Sequence, residues 1–109
     1  VTLEDWLGAF ALTQLVEVPL YRGLGKVPVA LAFSLSAITH PVVWLVFFSP
    51  RWVAPHEARL LCAEVFAVLV EAALLARPLG GRRALLLAAL ANAASVAVGT
   101  TTRALWGVP

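Results

Sequence analysis

The sequence predicts an all-α integral membrane protein, a single antiparallel bundle of four transmembrane helices over residues 1–109. Three observations predict it. The chain is 61% hydrophobic and only 13% charged, with a mean hydropathy of +0.92. Soluble domains carry about 25% charged residues, so half the usual solvating charge is absent. Residues 27–50 and 84–102 contain no Lys, Arg, Asp or Glu, and each run reaches the roughly 20 apolar residues that a bilayer crossing needs. Finally, the stretch LLCAEVFAVLVEAALLA, residues 60–76, is apolar apart from Glu64 and Glu71. Seven residues is nearly two helical turns, which puts both acids on one stripe roughly 10 Å apart. A hydrophobic helix with its acids on one stripe is expected to turn them away from lipid.

The first helix is predicted over about residues 3–21, with Thr13, Gln14 and Glu17 on one face. Pro19 should stop or kink it, because proline removes a hydrogen bond from the turn. Tyr21 then reads as an interfacial aromatic, and Arg22 to Lys26 as a short turn. The second helix, about 27–48, carries Ser36, Thr39 and His40 on one face, with Pro41 directly behind. A bend beside His40 is expected there. Residues 49–55 form a loop, and Pro55 suits the start of the third helix, about 57–76. Glu57 in its first turn complements the helix dipole. Residues 77–83, rich in Gly, Pro and Arg, read as a turn, and the glycines there lack the strand and helix context of a phosphate loop. The fourth helix, about 84–106, aligns Ala88, Ala91, Asn92, Ser95, Gly99 and Thr102. Small residues at that spacing let helices approach closely in a membrane, so this face is expected to be a packing seam, within the chain or in a homodimer.

Four crossings gather Trp6, Trp44, Trp52 and Trp106 at one side, as an aromatic belt requires. The opposite side holds Arg22, Lys26, Arg77, Arg82 and Arg83, five of the eight basic residues. The positive-inside rule then places both termini outside. The amino end opens on Glu4 and Asp5 rather than a basic region, unlike a secretory signal. The dispersed basic residues form no nucleic-acid surface. The lone Cys62 forms no internal disulfide and reads as a small core residue.

Depth along the helices supplies the functional reading. Counted from the basic side, Glu17, Glu71 and Asn92 fall at one level, roughly 8–13 Å in. His40, Glu64 and Ser95 fall near a second, roughly 18–20 Å in. A charge at mid-bilayer costs at least about 2.5–3.5 kcal/mol, and no basic residue lies at either level to offset the acids. The compensating charge is then a proton, a metal ion or a cationic substrate. Glu17, Thr39, His40, Glu64, Glu71, Asn92 and Ser95 are therefore the predicted ion- or substrate-binding residues of a small proton- or cation-coupled transporter or channel, working as a homodimer in the lipid bilayer.

Two other classes compete. In a membrane-embedded metal enzyme, His40, Glu64 and Glu71 would be the ligand candidates. No His-Glu-x-x-His or Glu-x-x-His pattern supports that, and nothing in the sequence names a cofactor. In a structural subunit of a larger membrane complex, the same polar groups would hold helices together.

Overall fold

A computed structural model describes residues 3–47, 49 and 54–107. Among them there is no strand, and the chain is all-α. Four helices run α1 (Leu3–Gly25), α2 (Val29–Val42), α3 (His56–Leu79) and α4 (Gly81–Trp106), with a π-helical turn over Val43–Phe47 continuing α2. The loop around Trp52 lies outside the described residues.

The helices are longer than their sequence breaks suggest. Pro19 sits inside α1 and Pro78 inside α3 without ending either. Each removes one N–H from a turn that neighbouring bonds still hold. The expected stop of α1 at Tyr21 therefore moves to Gly25. There Lys26 takes a positive φ of 54° and the Val27 N–H reaches back to Tyr21 O at 3.2 Å. The bond runs from the seventh residue back to the first and closes the end of the helix, with Val27 buried beside it. The expected turn over 77–83 contracts to Gly80 alone. Its φ of +84° lets its N–H cap Ala76 O at 2.8 Å while its carbonyl accepts from Ala84 N at 2.9 Å. A side chain would strain that left-handed backbone.

Pro41 lies inside α2, one residue before the α-helical geometry gives way to the π turn. Its missing N–H and its ring disturb the preceding turn, and the helix widens into the π turn just beyond it. The Val43 N–H contacts both His40 O and Thr39 O.

Hydrogen bonds between helices fix an antiparallel arrangement. Gln14 Nε2 donates to Phe33 O at 3.0 Å between α1 and α2, and Arg83 donates to Leu24 O at 3.3 Å, joining the start of α4 to the end of α1. The apolar core lies at that basic end. It comprises Tyr21, Val27, Ala32, Leu35, Ala72, Leu75, Ala84, Leu87, Ala88 and Ala91. The small residues of α4 thus form an intramolecular seam, and its burial stops at Asn92.

The outside is as apolar as the core. Leu15 is 74% exposed, Leu45 76%, Leu61 65% and Leu86 62%, one on each helical segment. Two helical stretches, Val29–Phe47 and Gly81–Trp106, are long and apolar enough to cross a membrane by length and composition. The acid-bearing α1 and α3 do not meet that standard, so four crossings do not follow from the helices alone. Cys62, expected in the core, is exposed on α3, because the buried stripe of that helix runs through Ala63, Ala67 and Glu71.

Candidate functional site

The buried polar residues are Glu17, Ser36, Thr39, His40, Glu71 and Asn92, and they come from all four helices. The amino-acid spacing explains the convergence. Glu17 and Tyr21 are four apart on α1, Ser36, Thr39 and His40 span about one turn of α2, and Glu64 and Glu71 share the stripe of α3.

Glu71 is the node. Its Oε1 accepts from the Tyr21 hydroxyl at 2.5 Å and from Asn92 Nδ2 at 3.1 Å, and its Oε2 lies 3.0 Å from Thr39 Oγ1. Neutral donors from the other three helices therefore converge on one carboxyl group. Glu17 accepts from Ser36 Oγ at 2.8 Å and is bonded to Ser95 as well. Glu17 and Glu71 are both almost fully buried and line the same cavity.

The pair faces a cavity of about 140 Å³, lined by Thr13, Glu17, Ser36, Thr39, His40, Val43, Glu64, Ala67, Glu71, Asn92, Ser95 and Val96. All seven residues singled out from the sequence line this one space. No Lys or Arg does. Tyr21 belongs to the apolar core and does not line the cavity, but it is bonded to Glu71, which does.

Comparison of the chain with protein-family models, curated proteins and solved structures found no match. The chemistry of the site therefore rests on its geometry.

His40, predicted near the level of Glu64, is set among aromatic rings. Its ring packs against Trp6, Phe10 and Trp44, at centroid distances of 5.5, 5.3 and 6.0 Å. It is hydrogen-bonded to the Trp6 main chain, while its Nε2 is buried with no partner among the described residues. Trp6 and Trp44, expected as belt residues, thus wall the histidine at one end of the cavity. Glu64 lines the same cavity but is only half-buried, which makes it the most exposed of the three acids. Ser95, expected at the His40 level, is associated with Glu17 instead.

The expected metal set does not assemble. His40, Glu64 and Glu71 share the cavity, yet among the described residues no three His, Cys, Asp or Glu side chains are placed to hold one ion. Sequence reasoning missed Tyr21, read as an interfacial residue but fully buried against Glu71. The signal was present, since Tyr21 follows Glu17 by one helical turn.

Proposed function

We propose that this protein crosses a membrane with all four helices and passes protons or small cations through the acid-lined cavity, as a channel or an ion-coupled carrier. One observation carries the proposal. Three carboxyl groups and no cationic side chain line a single cavity inside a body with leucine and valine on its surface. Intramembrane acids that face a shared interior are the usual mark of an ion path.

Further features support the membrane setting. The two span-length stretches are only 22% and 28% buried, unlike the core helices of a soluble bundle. The body is 36 Å long, against about 30 Å of bilayer hydrocarbon. Glu17 and Glu71 on α1 and α3 are almost fully buried, so their charge does not meet lipid. The termini belong on the tryptophan side, outside by the bias of basic residues.

The cavity limits the cargo. At about 30 Å³ per water, 140 Å³ holds roughly four water molecules. That suits a small ion and its water rather than an organic substrate.

The test is flux in proteoliposomes under imposed proton, Na⁺ and K⁺ gradients, with wild type beside Glu17→Gln and Glu71→Gln. Wild type is expected to move at least one of these ions, and both variants to fall to the rate of protein-free vesicles. Wild-type vesicles as tight as empty ones to every ion overturn the proposal.

Glu71 also favours a second role. Its three neutral donors make it a staple for the helices, as in a structural subunit of a larger complex. Glu71→Gln that leaves flux intact but weakens the fold would support that role instead.

A further inference from the structure

The hydrogens around Glu17 and Glu71 can be counted. Asn92 Nδ2 lies 2.9 Å from Ala88 O and 3.1 Å from Glu71 Oε1. A main-chain carbonyl only accepts, so the amide must present its NH₂ group to both. The Tyr21 hydroxyl donates to the same Oε1. That oxygen is thereby supplied with two hydrogens.

Oε2 is not. Its neighbour Thr39 Oγ1 has a single hydrogen, and it also lies 3.2 Å from Leu35 O. When that hydrogen goes to the carbonyl, only a hydrogen on Oε2 satisfies the contact with Thr39. Glu17 is buried against the same cavity as Glu71, and no Lys or Arg lines it. Two buried carboxyl groups with only neutral neighbours stay uncharged by keeping their protons.

A metal ion asks for the reverse arrangement. Ca²⁺ takes 6–8 oxygen lone pairs and Mg²⁺ an octahedral set. Here an N–H and an O–H already occupy Glu71 Oε1, and among the described residues no three His, Cys, Asp or Glu side chains are placed to hold one ion.

We infer that the ion held by the two buried carboxyl groups, Glu17 and Glu71, is a proton and not a metal cation. The inference rests on reading the cavity as an ion path, and it names the ion. In the loading step a hydronium ion in the cavity gives one proton to a carboxylate oxygen of the pair and is left as water. In release the proton returns to water, and no other bond changes. The other ionisable groups facing the pair are Tyr21 from α1, His40 from α2 and Glu64 from α3. The side chains that α4 contributes, Asn92 and Ser95, do not ionise here.

The test joins infrared spectroscopy of the detergent-solubilised protein with the vesicle assay. A protonated-carboxyl C=O band is expected in wild type. It should be lost or reduced by half in Glu17→Gln and in Glu71→Gln, and unmoved by millimolar Na⁺, K⁺ or Ca²⁺. Circular dichroism of each variant establishes that it is folded. In vesicles, proton flux should be the same whichever metal ion is present. Absence of the band in wild type, or its collapse on adding a metal ion, overturns the inference. If vesicles then carry that metal, the ion path itself still stands. A band that persists in protein that moves no ion at all keeps the proton on the pair and removes the transport reading instead.

Discussion

Tyr21 is the only polar side chain in the apolar core, and its hydroxyl has one observed partner, Glu71. Tyr21→Phe keeps the ring and deletes the donor. Because Asn92 still serves the same oxygen, the loss is one neutral interhelical bond, worth about 0.6 kcal/mol on average and at most about 1.7 in a membrane protein. A lower unfolding midpoint in detergent, by an amount in that range, is expected. No change would mean that the hydroxyl and Glu71 do not meet. The acids, the amide and Ser95 were legible in the sequence because burying a charge in a bilayer leaves few choices of direction, and counting residues then gives depth. The partners were less legible. An aromatic near a helix end reads as an interfacial anchor, and only packing shows that Tyr21 turns inward. His40 likewise could be placed at a depth, but spacing along one helix says nothing of the Trp6, Phe10 and Trp44 rings that other turns bring to it.

Helix ends are decided by single hydrogen bonds, which is why several of them were illegible. A proline marks where one bond is missing, and a long helix tolerates that loss at Pro19 and Pro78. The closing bond of α1, Val27 N–H to Tyr21 O, depends on the backbone of Lys26, a residue with no sequence preference for that conformation. The contact of this end with α4 depends on Gly25. A Cβ there would run into the Leu87 side chain and press on Val27, so Gly25→Ala should destabilise by about 1–3 kcal/mol through overpacking. Gly99, at the other end of the α4 seam, gives the contrast. Nothing lies within 4 Å of a Cβ built there, and alanine is favoured over glycine inside a helix by about 1 kcal/mol. Gly99→Ala should therefore leave the unfolding midpoint unchanged or raise it. A fall would place another surface on that face, such as a second copy of the chain.

For the whole molecule the central question is which solvent the outer surface meets, and Cys62 can report it. It is the sole cysteine, exposed on α3 among Leu61, Val65 and Leu69, which are 65%, 50% and 58% exposed. It stands six residues from the start of α3 at His56, roughly 9 Å along the axis at 1.5 Å per residue. With a body of 36 Å centred on about 30 Å of hydrocarbon, that depth lies below the headgroups. In a soluble bundle the same thiol would face water. Intact membranes containing the protein should therefore resist a charged, membrane-impermeant maleimide from either side, yet be labelled by a lipid-soluble one. Both reagents should label fully once the protein is unfolded in dodecyl sulfate. The native protein needs no mutation for this measurement, since no second thiol competes. Fast labelling by the charged reagent in intact membranes would set α3 against water. The buried Glu71 would then belong to the core of a two-crossing or peripheral protein, and the cavity would have no bilayer to bridge.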